Sequence, residues 1–145
     1  MKTHIDEQPL RILIVEDDPD VRLITRLSLT RIGNMLVTEA DSGREAINKV
    51  ASEKYDVILL DVMMPEMDGP TTLRTMRNLP NGTTTPILFL TAKVLPSEIK
   101  RLQALSTYEV ITKPFDPLTL GDELQRIVRQ HMMTGIPNEQ HDTSI

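Results

Sequence analysis

The sequence predicts an α/β fold, in which a parallel sheet carries helices on both of its faces. Five short apolar segments alternate with five segments whose apolar residues recur at helical spacing. The short segments are apolar at successive positions, which is typical of strands buried on both faces of a parallel sheet. A chain of 145 residues is long enough to form one such domain with a proper core.

The composition limits where the protein works and what it binds. The chain has no cysteine, which excludes disulfides, thiol catalysis and cysteine-ligated metals. The net charge of -5 and the absence of tryptophan argue against a nucleic-acid partner. No apolar run approaches the length of about 20 residues that a membrane span needs, and the start of the chain has no signal-peptide core. We therefore expect a cytoplasmic protein that binds neither membrane nor nucleic acid.

Three regions divide the chain. Residues 1–9 form a flexible polar leader, residues 10–132 form the domain, and residues 133–145 form a tail that we expect to be disordered because Gly, Pro and polar residues dominate it. The tail contains no helix-turn-helix pattern, so we expect a single-domain protein without a DNA-binding output domain.

The first strand and helix of the domain have clear boundaries. The strand covers residues 11–15, and Asp18 then caps a helix that has Pro19 in its first turn. This helix runs to about Ile32 and stops at Gly33. The residues at core spacing in it are Leu23, Ile24 and Leu27.

The second and third units follow the same plan. A weaker strand runs from Met35 to Glu39, and Ser42 and Glu45 have the spacing of a helix capping box. The inward residues of that helix are Ala46, Ile47 and Val50. The third strand covers residues 56–61. Its loop contains Pro65 and Gly69, and the next helix places Leu73 and Met76 inward and ends near residues 80–82.

The last two units complete the alternation. A strand runs from Pro86 to Thr91, and a helix after Pro96 carries Ile99, Leu102 and Leu105. The fifth strand runs from Tyr108 to Thr112. The last helix starts near Asp116 or Pro117, and its inward residues are Leu120, Leu124, Ile127 and Val128.

Charged and hydroxyl groups stand where the strands end. In chain order they are Glu16 with Asp17, Glu39, Asp61, Thr91 and Lys113. Parallel strands bring their carboxyl ends to one edge of the sheet, where α/β proteins bind ligands. Glu16, Asp17 and Asp61 would concentrate negative charge there, and Mg²⁺ would compensate it because it needs only one or two carboxylates. Together with the Lys113 ammonium and the Thr91 hydroxyl, such a cation could bind a phosphoryl group, which a carboxylate can accept as an acyl phosphate.

Four motifs in this order resemble those of response-regulator receiver domains. They are Val15-Glu16-Asp17-Asp18-Pro19, Leu60-Asp61-Val62-Met63-Met64-Pro65 with Met67-Asp68-Gly69, Leu90-Thr91-Ala92, and Thr112-Lys113-Pro114-Phe115. The resemblance covers residues 10–132, and its specificity comes from all four motifs occurring in order at matching spacings. It implies a flavodoxin-like, doubly wound (βα)5 fold with strand order 2-1-3-4-5.

The resemblance also implies a role for each site residue. Asp61 is the phosphoacceptor. The implied Mg²⁺ ligands are the carboxylates of Asp17 and Asp61, Glu16 through a water molecule, and the main-chain carbonyl of Met63. The implied contacts of the phosphoryl group are the Lys113 ammonium, the Thr91 hydroxyl and the Ala92 amide. The Lys113–Pro114 peptide bond is expected to be cis, as in similar domains.

The partners follow from the same resemblance. A histidine kinase or a histidine phosphotransfer protein would donate the phosphoryl group, and the domain would catalyse only its own phosphorylation and dephosphorylation. The output would pass by onward phosphotransfer or to a protein bound on the face of the fourth helix, fifth strand and fifth helix. We expect a monomer or weak dimer.

Two features depart from the family pattern or affect its kinetics. Val110 occupies a position where similar domains usually have Tyr or Phe, and the expected strand places Tyr108 on the same face as Val110 as an edge packing residue. The phosphorylation signal should then pass through the loops after Thr91 and Lys113.

Met63 and Lys93 flank the path of the hydrolytic water in similar domains, so we expect slow autodephosphorylation.

Two other functions use related features. Phosphohydrolases of the haloacid-dehalogenase type also have an Asp nucleophile, but their acid–base Asp two residues later corresponds here to Met63, which cannot transfer a proton. A flavin or nucleotide binder would have a glycine-rich first turn, whereas this chain has Asp18 and Pro19 there.

Overall fold

The computed structural model describes residues 8–92, 95–106 and 108–134, and strands alternate with helices throughout them. The strands are β1 (Arg11–Val15), β2 (Leu36–Ala40), β3 (Val57–Asp61), β4 (Ile87–Thr91) and β5 (Ile111–Thr112). The helices are α1 (Pro19–Leu27), α2 (Gly43–Ser52), α3 (Gly69–Arg77), α4 (Pro96–Ser106) and α5 (Leu120–Thr134). A π-helical segment, Ser28–Ile32, continues α1, and a 3-10 turn, Pro80–Gly82, follows α3. All strands pair in parallel in the order β2-β1-β3-β4-β5, which confirms the predicted fold class.

The sheet separates two hydrophobic cores. Alternate residues of each strand point to opposite faces, so Ile12 and Ile14 enter one core while Leu13 and Val15 enter the other. The π-helical segment and α5 cover the first core through Leu29 and the predicted inward residues of α5. Helices α2, α3 and α4 cover the second core. Because both faces are covered, β1, β3 and β4 are almost entirely buried.

Two of the three predicted core residues of the first helix, Leu23 and Ile24, were wrong, while the third, Leu27, is partly buried. Leu23 and Ile24 are 43% and 50% exposed, whereas Thr25, Ser28 and Leu29 are buried. Burial of the two hydroxyls is tolerated because each has a carbonyl partner: Thr25 donates to Val21 O at 2.7 Å, and Ser28 donates to Pro117 O at 2.5 Å. A prediction of the buried face of α1 from its apolar residues alone was therefore wrong.

The fifth strand is shorter than predicted. Only Ile111 and Thr112 pair with β4, so the backbone from Tyr108 to Val110 does not alternate as a strand does. Tyr108 consequently packs in the core beneath α5, and its hydroxyl lies 2.8 Å from His131 Nδ1. Val110 packs against the opposite core, so the prediction that the two residues share a face was wrong.

The two predicted helix caps, Asp18 and Ser42, are confirmed. Asp18 accepts from the amides of Asp20 and Val21, and Ser42 accepts from the amide of Glu45. The Glu45 carboxylate accepts from the amide of Asp41 instead of completing the box at Ser42. Helix α5 starts later than predicted, because the Asp116 carbonyl and carboxylate first organise a turn that leads into Leu120.

Helix α5 continues to Thr134, two residues beyond the predicted end of the domain at residue 132. The predictions for residues 1–7 and 135–145 lie outside the described residues. Within residues 8–92, 95–106 and 108–134, no helix has the length and apolar character that crossing a membrane requires.

Candidate functional site

The register of the sheet brings the predicted acidic residues to one point on its carboxyl edge. Val15 of β1 pairs with Leu60 of β3, so the next residues along, Glu16 and Asp61, lie side by side. Asp61 is the last residue of β3 and is only 4% exposed. This point lies between β1 and β3, where the order of the strands reverses direction and α/β proteins form their binding crevice.

Glu16, Asp17 and Asp61 form an acidic cluster in this crevice. Each contributes a carboxylate oxygen that lies within 4.8 Å of the others. The Lys113 Nζ atom lies 3.1 Å from Asp61 Oδ1 and 3.1 Å from Glu16 Oε1. The fold therefore brings together four of the residues that the sequence predicted to share a site.

The electrostatics of the cluster follow from burial and crowding. Burial, followed by the charge of Glu16, raises the pKa of Asp61 to about 7, although the Lys113 ammonium opposes the change. Burial alone would lower the pKa of Lys113, but its interactions with Glu16 and Asp61 outweigh burial and raise that pKa. Lys113 therefore stays charged and is one ammonium group beside three acidic side chains.

The acidic cluster fits a hard divalent cation. The buried Glu16 Oε1 contacts Lys113 without hydrogen-bond alignment and has no hydrogen-bond donor among the described residues. One ammonium against three carboxylates leaves an uncompensated charge, and oxygen ligands at this spacing suit Mg²⁺. The donor set thus agrees with the predicted cofactor.

The loop after Asp61 packs tightly against the end of β3. A Cβ atom on Gly69 would lie 2.5 Å from the Asp61 carbonyl oxygen, and the Gly69 amide donates to Val62 O at 2.8 Å. Glu66 adopts a left-handed conformation with φ 70°. The side chain of Met63 is 63% exposed, and the role of its carbonyl as a metal ligand remains a prediction.

Thr91 and Lys113 are connected through the backbone. Thr91 is buried at the end of β4, and its carbonyl accepts a 2.8 Å hydrogen bond from the Lys113 amide. The Lys113–Pro114 bond is cis, as predicted. Ala92 is exposed directly after Thr91. Lys93, which was expected to flank the water path, lies outside the described residues.

Glu39 does not join the acidic cluster. Its carboxylate pairs with Arg22 Nε at 3.0 Å and with Arg26 Nε at 2.8 Å, both on α1. Arg22 also donates to the main-chain carbonyl of Glu16 at 2.8 Å. Sequence reasoning missed these two arginines. The available signal was their spacing of four residues, which places both on one side of α1.

An apolar groove beside the crevice was also missed. It has a volume of about 480 Å³ and is lined by Val21, Ile24, Ala92, Lys113, Pro114, Phe115 and Pro117. The outward orientation of Ile24, which was expected to be a core residue, contributes to this groove. An apolar surface therefore borders the charged site.

Comparison with known proteins agrees with this geometry. Residues 12–125 match the family model described as the response regulator receiver domain. The transcriptional regulatory protein ResD of Bacillus subtilis is 36% identical over 130 residues, which cover 88% of this chain and 52% of ResD. The chain spans about half the length of several such regulators that it matches.

Two solved structures show the same fold. The chemotaxis protein CheY4 of Vibrio cholerae superimposes with a TM-score of 0.76 at 32% identity, covering 83% of this chain and 99% of that one. The receiver domain of the sensor histidine kinase PA1611 of Pseudomonas aeruginosa, solved with a magnesium ion in its active-site cleft, gives a TM-score of 0.73 at 30% identity. That match covers 88% of this chain and 100% of the other.

The phosphohydrolase alternative gains no support from the site. The residue two positions after Asp61 is the exposed Met63, which has no proton to exchange. The family model that matches is that of a response regulator receiver domain. The sheet order, the acidic cluster beside Lys113 and a family match over residues 12–125 lead to one conclusion. This chain is a member of the response-regulator receiver domain family of two-component systems.

Proposed function

We propose that Asp61 accepts a phosphoryl group from a phosphohistidine donor in a reaction that requires Mg²⁺. The observation that carries this proposal is the geometry of Asp61, a buried carboxylate 3.1 Å from Lys113 Nζ within a cluster of three acidic residues. An oxygen of Asp61 attacks phosphorus, the P–N bond of the donor breaks, and its electron pair stays on the imidazole ring.

Each neighbouring residue has a part in this proposal. The Mg²⁺ ligands would be Asp17, Asp61, Glu16 through water, and the Met63 carbonyl. When bound, Mg²⁺ would supply positive charge to the phosphoryl oxygens. Lys113 neutralises a further phosphoryl oxygen, and the Thr91 hydroxyl and Ala92 amide donate hydrogen bonds to the others. These groups position the reactants and neutralise charge, which is most of what phosphoryl transfer needs.

The proposed reaction concerns the protein itself rather than a separate substrate. The domain would catalyse its own phosphorylation and dephosphorylation only, in the cytoplasm, beside a histidine kinase or a histidine phosphotransfer protein. The apolar groove next to Lys113 supports a protein donor, since it offers a surface for an apolar helix beside the reacting carboxylate. The response would leave through the face formed by α4, β5 and α5, or by onward transfer of the phosphoryl group.

The experiment is incubation with phosphoramidate and Mg²⁺, followed by intact-protein mass spectrometry. We expect one phosphoryl adduct that requires Mg²⁺ and is removed by hydroxylamine. Asp61→Asn should form none. Asp56→Asn is the matched control, because Asp56 precedes the same strand at its opposite, exposed end and should leave the adduct intact. An adduct that persists in Asp61→Asn would refute the assignment.

A further inference from the structure

Arg22 lies outside the acidic cluster and binds the backbone of residues 16–18, which we call the acidic loop. Its guanidinium donates to the Glu16 carbonyl oxygen through Nη1 at 2.8 Å and to Glu39 Oε1 through Nε at 3.0 Å. The side chain is 22% exposed, so these bonds are partly shielded from water. One planar group therefore ties the end of β1 to β2 from its position on α1.

The peptide bond that Arg22 contacts precedes Asp17. The carbonyl of Glu16 belongs to the same planar unit as the amide and Cα of Asp17. Fixing that oxygen restricts rotation of the unit and thus the direction in which the Asp17 side chain leaves the backbone. The other groups of Glu16 are also held: its amide donates to Ala40 O at 3.0 Å, and its Oε2 accepts from the Asp18 amide at 3.2 Å.

Arg26 provides an internal comparison. It lies one turn further along α1 and pairs with the other oxygen of the same carboxylate, Glu39 Oε2, at 2.8 Å. Within the part of the chain that the structure describes, Arg26 has no hydrogen bond to residues 16–18. The two arginines thus share residue type, helix and anion, and they differ in whether they contact the acidic loop.

Glu39 gives Arg22 its position and offsets its charge. A free guanidinium near Glu16 and Asp17 would compete with a cation for their carboxylates. Pairing with Glu39 turns Nε of Arg22 toward β2 and leaves Nη1 to hold the backbone.

We propose that Arg22 is a positioning residue for the Mg²⁺ ligands and that Glu39 anchors it. This inference rests on the proposed function, because it assumes that Asp17 binds Mg²⁺. Partners that orient metal ligands typically change metal affinity by about 10- to 100-fold when they are lost. Arg22→Lys keeps the charge but cannot reproduce the two fixed hydrogen bonds of the guanidinium.

The test is a titration of the full chain with Mg²⁺. Binding is monitored through the amide NMR signals of residues around Asp17 and Asp61. Arg22→Lys should weaken Mg²⁺ binding roughly tenfold, and Arg26→Lys should leave the affinity unchanged. Glu39→Gln should also weaken binding, and adding it to Arg22→Lys should cost less than the two single losses combined. Urea unfolding without metal should show similar stability for Arg22→Lys and Arg26→Lys, which separates positioning from a general structural role.

The outcomes distinguish this inference from the proposed function. Wild-type affinity in Arg22→Lys, or equal loss in Arg26→Lys, would overturn the positioning role. If Arg22→Lys does not fold, wild-type affinity in Glu39→Gln would overturn it equally. Failure of the wild type to bind Mg²⁺, or wild-type affinity in Asp17→Asn, would instead refute the metal site itself and with it the proposed function.

Discussion

At the scale of single residues, the site brings three acidic side chains close to one lysine. Asp61 and Glu16 are almost fully buried, and Lys113 is the cation in contact with both. Burial of like charges destabilises the folded state unless a proton or a cation compensates them. The acidic cluster should therefore lower the free energy of unfolding of the metal-free protein, and this loss should be measurable.

The first prediction concerns the stability of Asp61→Asn without metal. Folding raises the pKa of Asp61 from 3.8 to about 7, so between these values the native state binds more protons than the unfolded chain. Protonation of Asp61 in the native state therefore contributes to the free energy of unfolding at low pH, and this contribution is lost as the pH rises through the folded-state pKa of about 7. Asparagine does not titrate, and one pKa unit corresponds to about 1.4 kcal/mol. Asp61→Asn should therefore be more stable than wild type near pH 8.5, by as much as about 4 kcal/mol, with a smaller difference near pH 5.

Urea unfolding in the presence of a chelator measures this difference. Asp56→Asn is again the control, because Asp56 is exposed and lies at the far end of the strand. A stability gain in Asp61→Asn that is the same at both pH values would contradict the assignment of the raised pKa to Asp61.

The second prediction concerns Met63 and the lifetime of the phosphoryl group. The Met63 side chain is exposed beside the crevice and is apolar, so it should hinder an attacking water and give slow autodephosphorylation. Asparagine could instead orient that water, so Met63→Asn should hasten dephosphorylation by roughly one order of magnitude, below the effect of a true general base. Phosphate release after removal of the donor gives the rate.

A matched control for this prediction is Met132→Asn. Met132 is 76% exposed near the end of α5, on a different element from the site, and its replacement should not alter the rate. An unchanged or slower rate in Met63→Asn would show that the side chain does not restrict water.

At the scale of elements, the sequence predicted strands and helix faces best where a single pattern of apolar residues determines them. Strand β1 and the inward residues of α5 were predicted correctly because apolar runs and helical spacing decide them. Helix α1 was mispredicted because hydroxyls that bond to carbonyls can be buried, as Thr25 and Ser28 are. Tyr108 was misplaced because β5 contains only two residues, and no local pattern reveals how many residues of an edge strand will pair.

The third prediction concerns the elements that respond to phosphorylation. Thr91 is linked to β5 through its carbonyl and the Lys113 amide, whereas Val110 has a stiff side chain that packs against the core. Beryllofluoride, which imitates the phosphoryl group, should therefore shift the amide NMR signals of Thr91 and α4 more than the Val110 side-chain signals. Asp61→Asn should show no response. A change confined to β5 would contradict this route.

At the scale of the whole molecule, the strand order assembles the site from distant parts of the chain. Asp61 ends β3, while Glu16 and Lys113 directly follow β1 and β5, and the three meet because all strands run in parallel. The sequence predicted this set from the strand ends, and the resemblance supplied their roles. The sequence could not show that Glu39 pairs with Arg22 and Arg26 instead of joining the acidic cluster, because that pairing depends on how α1 is rotated against the sheet.

The fourth prediction concerns the stability of the whole domain with Mg²⁺. A ligand that binds only the native state stabilises it, by about 2.7 kcal/mol at a concentration of 100 times Kd. Mg²⁺ should therefore raise the melting temperature of the wild type. Asp17→Ala should lose this response, while its metal-free form should melt at a higher temperature because repulsion within the cluster is relieved. A wild-type response in Asp17→Ala would exclude Asp17 as a ligand.

The most direct test of the central claim is to locate the phosphoryl group on the chain. Borohydride reduces an acyl phosphate on aspartate to homoserine, so the phosphorylated protein would be reduced, digested and sequenced by mass spectrometry. The account predicts homoserine at position 61, only after treatment with donor and Mg²⁺. Homoserine at position 17, or phosphorylated protein that yields no homoserine at 61, would contradict it.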